Sequence, residues 1–282
     1  MAYTSIISAS ELAGHLNDPN WVIVDSSFNL SQKEWGFEHY QQSHIPGAVY
    51  AHMGRDLASP VRPDSGRHPL PELPTFLKTL ESWGIAPHKQ VVIYDTLDGS
   101  YAARLWCMLR MLGHSSAAVL SGGFQAWEND GYPQKQGIES NPPASYPLPN
   151  ELENVFAPLP EVECIRQDPS FLLLDARSPE RYRGDVEPID TIAGHIPGAV
   201  NRFNGENLQA DGTFKPAEQL KAEFLSLLGD RSPDRIIAYC GSGVTSCHHL
   251  LAMEAAGLTG ARVYVGSWSE WIRDPARPVA RS

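Results

Sequence analysis

The second half of this 282-residue chain repeats the first. Ser43-His44-Ile45-Pro46-Gly47-Ala48-Val49 returns 151 residues later as Gly194-His195-Ile196-Pro197-Gly198-Ala199-Val200. Trp21-Val22-Ile23-Val24-Asp25 has its counterpart in Phe171-Leu172-Leu173-Leu174-Asp175. Val91-Val92-Ile93-Tyr94-Asp95 corresponds to Ile236-Ile237-Ala238-Tyr239-Cys240. Ser121-Gly122-Gly123-Phe124-Gln125-Ala126-Trp127 corresponds to Val265-Gly266-Ser267-Trp268-Ser269-Glu270-Trp271. Four ordered matches with little drift in spacing mean two copies of one unit, so the fold must be one that a chain can make twice.

Each copy alternates short apolar runs with helical periodicity. In copy one, Ser8 with Glu11 forms a capping box. Leu73, Phe76, Leu77, Leu80 and Trp83 then recur at helical spacing up to Gly84, as do Ala102, Leu105, Trp106, Leu109 and Leu112 up to Gly113. Copy two repeats the scheme with Leu220, Phe224, Leu227 and Leu228 ending at Gly229, and with Leu250, Met253 and Ala256 ending at Gly257. Strands alternating with helices predict an α/β fold, two tandem domains that are each a mostly parallel sheet flanked by helices. Pro133, Pro142, Pro143, Pro147, Pro149, Pro158 and Pro160 crowd the junction, too densely for a helix or a central strand. We therefore expect a first domain at 1–138, a proline-rich linker at 139–158 and a second domain at 159–282.

The copies differ at one chemically decisive position. Where copy one has Asp95, copy two has Cys240, followed by Gly241-Ser242-Gly243-Val244-Thr245-Ser246. A strand delivers the cysteine to its carboxyl end, two glycines let the backbone curl round the sulfur, and a helix is expected to start near Thr245. Inward N–H groups and a helix N-terminus both favour thiolate over thiol. Ligands in such sheets bind beyond the carboxyl ends of strands, which puts the expected site at Cys240, in a cleft between the two domains.

Composition narrows the chemistry. A formal charge of −11 argues against sequence-independent binding to nucleic acid or to an anionic membrane surface. No 18-residue apolar run occurs, and Met1-Ala2-Tyr3-Thr4 does not open a secretory signal, so a cytoplasmic protein is expected. Cys107, Cys164, Cys240 and Cys247 are too few and too scattered for a disulfide scaffold. Neither a metal nor a cofactor is expected. His248 and His249, adjacent on a helix, should face different ways, and Cys247 should lie in its second turn as a small core residue. His44 and His195 occur in both copies although only one keeps the cysteine, which assigns them to fixing a turn.

The paired His-Ile-Pro-Gly-Ala signatures, the strand-Cys-loop and the Gly-x-x-x-Trp endings together resemble the two-domain rhodanese-type sulfurtransferases, whose second half is catalytic and whose first half has lost the cysteine. The resemblance covers nearly the whole chain. The loop Cys240-Gly241-Ser242-Gly243-Val244-Thr245 is most similar to the 3-mercaptopyruvate branch, because the thiosulfate branch carries basic residues where Gly241 and Ser242 stand. It implies that Cys240 takes a sulfane sulfur from a small anionic donor, 3-mercaptopyruvate or alternatively thiosulfate. The sulfur then passes to cyanide or to a thiol, such as that of reduced thioredoxin.

Residue by residue, the loop N–H groups from Gly241 through Ser242, Gly243 and Val244 to Thr245 would hold the sulfur. Ser242 and His68, from Ser65-Gly66-Arg67-His68-Pro69, would form a proton relay, completed by Asp56 or Asp64. Arg181 would anchor the donor anion with Arg183 as companion, whereas Arg177 suits a neighbouring acid. Arg67 could equally serve the anion. One departure from the family stands out: a second substrate arginine expected after Glu187-Pro188 is absent, and Asp190 is there instead. Phosphoryl transfer through cysteine needs an arginine at the far end of the loop, and Ser246 occupies that place. A purely binding module suits the Asp95 copy and not the Cys240 copy.

Overall fold

The computed structural model describes residues 2–282 and divides into two units. The first comprises the residues up to Ser59, Leu70–Glu153 and Gln209–Phe214; the second comprises Pro60–Pro69, Asn154–Leu208 and Lys215–Ser282. The division follows the duplication except at two segments. Residues 60–69, which contain Arg67 and His68, pack with the second copy, and 209–214 packs with the first.

The first unit runs β1 (Ile6–Ile7), α1 (Ala9–Ala13), β2 (Trp21–Asp25), α2 (Trp35–Gln42), β3 (Val49–Tyr50), α3 (Leu73–Ser82), β4 (Gln90–Tyr94), α4 (Ser100–Met111), β5 (Ala117–Leu120) and α5 (Gly123–Asn129). The second runs β6 (Phe156–Ala157), α6 (Leu159–Ile165), β7 (Leu172–Asp175), α7 (Pro179–Arg183), β8 (Val200–Asn201), α8 (Ala217–Leu228), β9 (Ile236–Tyr239), α9 (Cys247–Ala255), β10 (Arg262–Tyr264) and α10 (Ser267–Trp271), with short 3-10 turns at Asn204–Asn207 and Pro233–Arg235. Both five-stranded sheets are parallel, ordered β1-β5-β4-β2-β3 and β6-β10-β9-β7-β8. The central strands are buried along their length, the pattern of a sheet covered on both faces. The expected capping box is present: Ser8 Oγ accepts from Glu11 N–H, and the Glu11 carboxylate accepts from Ser8 N–H.

The repeated signature does the same structural work twice. His44 Nδ1 lies 2.7 Å from Tyr40 O, and His195 Nδ1 lies 2.7 Å from Tyr182 O. Each tyrosine hydroxyl donates to the alanine carbonyl of its own signature, Tyr40 to Ala48 and Tyr182 to Ala199. Tyr94 and Tyr239 accept the signature N–H of Ile45 and Ile196 at 3.1 Å. The histidines therefore stitch the end of a helical turn to the strand that follows. Register finishes the alignment: Asp25 pairs with Tyr94 across β2 and β4, and Asp175 with Tyr239 across β7 and β9. Asp95 and Cys240 come one residue later, at the carboxyl ends where parallel sheets place their ligands.

Candidate active site

The loop after β9 is held from behind by α10. Trp268 N–H donates to Cys240 O at 3.0 Å and Ser269 N–H to Gly241 O at 2.9 Å. With those carbonyls turned outward, the N–H groups that follow are free to face the sulfur. Gly243 has φ +75°, and any Cβ there would collide with the Val265 carbonyl, so glycine is required on both counts. Helix α9 begins at Cys247, two residues later than expected, because the intervening backbone wraps the sulfur instead of joining the helix.

Cys240 is 2% exposed. Burial is the largest influence on its thiol and opposes ionisation. The Ser246 hydroxyl and the N–H groups of Ser242, Ser246 and Val244 together outweigh burial, and the thiol is pulled below its ordinary value. In copy one the same cradle is filled by a carboxylate: Asp95 Oδ1 accepts from Leu97 and Gly99 N–H, and Oδ2 from Tyr101 and Ala102 N–H, at 2.9 to 3.0 Å. The loop is an anion cradle in both units, with an internal anion in one and a thiol in the other.

His68 and Ser242 meet: His68 Nδ1 lies 2.8 Å from Ser242 Oγ. The two aspartates considered for His68 have other engagements. Asp56 Oδ2 accepts from His52 N–H at 2.7 Å, and Asp64 is largely exposed opposite Arg62. The His68 segment is fixed to its own unit, with Arg67 N–H donating to Ser269 Oγ at 3.0 Å and Arg273 Nε to Ser65 O at 3.1 Å.

The arginines sort themselves. Arg177 is buried and pairs with Asp175 and Glu187, as its neighbouring acids suggested. Arg181 donates to Glu187 through Nη2 at 2.7 Å and Nε at 3.2 Å, and its Nη2 lies 3.4 Å from Asp190 Oδ2. Arg67 Nη1 pairs with Asp190 Oδ1. Both Arg67 and Arg181 border the loop, their guanidinium nitrogens 2.8 and 3.6 Å from where a Cβ on Gly241 would stand. Arg183 is half-exposed and pairs with Asp185 at 2.8 Å.

Two expectations are corrected. Cys247 is the first residue of α9, not part of its second turn, with its Sγ 3.5 Å from Gly243 O. His248 and His249 do not diverge: both Nδ1 atoms come within 3.0 Å of Asn207 Nδ2. Burial holds His249 near pKa 3, so it stays neutral. Among the described residues no group of three or more His, Cys, Asp or Glu side chains gathers as a metal would require.

Two residues of this region have a role toward Cys240 that the sequence did not assign them. Ser246 Oγ is buried without a nitrogen or oxygen partner among the described residues, and it borders the sulfur. Ser267 has φ +54°, the only non-glycine positive value among the described residues. Its hydroxyl accepts Cys240 N–H at 3.1 Å and donates to Tyr264 O at 2.8 Å. Copy one has Gly123 there, so the strain, of order 1 kcal/mol, is confined to the cysteine copy. The Gly123–Ser267 mismatch in the repeat was the available signal.

The rhodanese-like domain family matches the chain at residues 8–130 and again at 160–274. A Pseudomonas aeruginosa protein named "Probable 3-mercaptopyruvate sulfurtransferase" is 42% identical, covering 99% of each chain. The thiosulfate sulfurtransferase of Mus musculus is 33% identical, covering 96% of this chain and 93% of its own length. Among solved structures, the 3-mercaptopyruvate sulfurtransferase from Leishmania major superposes with a TM-score of 0.85 at 30% identity, covering 96% of this chain and 76% of that one.

Proposed function

The chain belongs to the rhodanese-like family of sulfurtransferases, and from that premise we propose that it moves a sulfane sulfur from 3-mercaptopyruvate to a thiol or cyanide acceptor through a persulfide on Cys240. The observation that carries this reading is the convergence of a thiol of lowered pKa with a His68–Ser242 pair at 2.8 Å. The Cys240 thiolate attacks the donor sulfur, an S–S bond forms and the C–S bond breaks. The electron pair of that bond leaves with the enolate of pyruvate, which needs a proton. The Ser242 hydroxyl, backed by the His68 imidazole, stands where it can supply one.

The loop then holds the persulfide through the N–H groups from Gly241 to Thr245. An acceptor thiolate attacks the outer sulfur and Cys240 leaves as the stabilised thiolate, ready for another cycle. Arg181 and Arg67 are the donor-anchoring cations in this scheme. Acceptor turnover by a thiol, thioredoxin included, fits a reducing compartment such as the cytoplasm.

Mass spectrometry of purified protein mixed with 3-mercaptopyruvate tests the reading. One added sulfur atom located on Cys240, and removed by a thiol, is expected. No sulfur on Cys240 with either 3-mercaptopyruvate or thiosulfate would end it.

A further inference from the structure

The arginines beside Gly241 do not face an empty bay. Asp190, its side chain 5% exposed, inserts its carboxylate between Arg67 and Arg181. Glu187 takes the other edge of Arg181, and Asp190 N–H donates to Glu187 Oε1 at 3.0 Å, which fixes the turn that presents the Asp190 side chain. The cluster therefore holds three cations, Arg67, Arg177 and Arg181, against three anions, Asp175, Glu187 and Asp190. Its formal charge is zero. Arg67 Nε, buried and without an acceptor among the described residues, still has a donor to offer.

We propose that Asp190 is a specificity-determining residue: its carboxylate occupies the position between Arg67 and Arg181 that a donor's negative charge would take, and so sets the site against dianionic donors. The inference rests on the sulfur-transfer reading given above and adds to it which charge class of donor is favoured. An incoming anion gains the arginines only by sharing them with a fixed negative charge. A dianion such as thiosulfate meets about twice the repulsion that a monocarboxylate meets at the same distance, because the Coulomb term scales with the product of charges. The residue that disfavours thiosulfate is on this view a carboxylate 50 residues before the nucleophile, and not only the neutral loop.

Asp190→Asn and Asp190→Ser remove the charge by two routes, and Asp190→Glu keeps it. Steady-state kinetics with both donors should show kcat/KM for thiosulfate rising about tenfold or more in each neutral variant, mainly through KM, with a smaller rise for 3-mercaptopyruvate. Asp190→Glu should leave the ratio between donors within about twofold of the parent. A ratio that stays put in the neutral variants, or that moves as much in Asp190→Glu, overturns the proposal. A second readout needs no sulfur transfer: alkylation of Cys240 by anionic iodoacetate relative to neutral iodoacetamide. That rate ratio should rise about fivefold in the neutral variants, as expected when a nearby negative charge is removed. If no donor loads Cys240 but this ratio rises, the functional reading fails and the charge role stands. If donors load Cys240 but the ratio does not move, the charge role fails.

Discussion

Arg177 and Asp175, two residues apart, are joined by parallel hydrogen bonds: Nη2 reaches Asp175 Oδ2 at 2.7 Å and Nε lies 3.1 Å from Oδ1. The guanidinium is also stacked over Trp268 at 4.9 Å, and its Nη2 donates to Gly194 O. In the first unit Asp25 holds the equivalent strand end, but Ser27 stands where Arg177 would be. Asp25 Oδ1 accepts Ser27 N–H at 2.8 Å, while its Oδ2 is buried without a partner among the described residues. One copy solved a buried acid by pairing it, the other by neutralising it. Burial pushes Asp25 up to about 7.

The two acids should therefore answer the same substitution oppositely. Asp175→Asn leaves Arg177 buried beside a neutral amide, a loss of about 3 kcal/mol or more. Asp25→Asn should be stabilising at neutral pH by a margin on the order of 2 kcal/mol. Denaturant unfolding of the two variants beside the parent checks this, and loss of stability in both would refute it.

The pH dependence has a definite sign. Asp25 binds its proton more tightly folded than unfolded, so its contribution to stability is greatest at acid pH. That contribution is lost as pH rises from the ordinary carboxylate range towards about 7. Asp95, raised to about 6 by burial and by the Asp98 charge against its backbone N–H bonds, acts in the same direction. Asp25→Asn should flatten the stability profile between pH 4 and 7, by melting temperature across that range. A profile as steep as the parent's would assign the slope to other groups.

Ser246 gives a prediction the sequence alone did not. Its hydroxyl is the chief influence lowering the Cys240 thiol after burial has raised it. Ser246→Ala should move the inflection of iodoacetamide alkylation to higher pH while leaving the melting temperature within about a degree, since a buried hydroxyl with no other partner is lost cheaply. An unmoved inflection would mean that the backbone N–H groups suffice.

Much of this was legible in the sequence because the duplication prints the strands and the main helices twice. The parallel sheets, the turn-fixing role of His44 and His195 and the strand-end position of Cys240 all follow from local patterns with a second copy to check them, whereas the tyrosines that complete the stitching emerge only in the structure. What was not legible is non-local. Nothing near Arg67 shows that it meets Asp190, 123 residues on, and only the family resemblance, through the His68–Ser242 relay, implied that residues 60–69 pack with the second copy. The start of α9 was misplaced because helix propensity says nothing about backbone diverted to hold a sulfur. The His248–His249 pair converges because Asn207, on the preceding 3-10 turn, reaches both rings, a contact that helix geometry alone does not contain.

In the proposed mechanism Cys240 is the sulfur carrier and Arg181 a donor anchor, so their variants should differ in kind. Cys240→Ser should abolish transfer from any donor, since a hydroxyl cannot carry sulfane sulfur, and Cys247→Ser should be near neutral. Arg181→Ala should lower kcat/KM by a factor corresponding to about 2 kcal/mol. Asp95→Ala, in the first unit, should leave activity nearly unchanged. Parallel kinetics on the four proteins test the assignment of the active copy, and the reverse ordering would refute it.

The His68–Ser242 pair separates the two donor chemistries. Breaking the C–S bond of 3-mercaptopyruvate leaves an enolate, a strong base whose departure is helped by a proton at the right place. Breaking the S–S bond of thiosulfate leaves sulfite, a stable anion that needs none. If the pair serves as proton source, Ser242→Ala and His68→Gln should each cut kcat with 3-mercaptopyruvate by about a hundredfold, the usual worth of a positioned acid. With thiosulfate the same variants should lose no more than about threefold, the loss expected from altered packing beside the loop. The comparison is internal, because both donors load the same sulfur on the same cysteine, so any general damage to the thiolate lowers both rates together. Equal losses with the two donors would reduce the 2.8 Å contact to a structural hydrogen bond and move the proton source elsewhere.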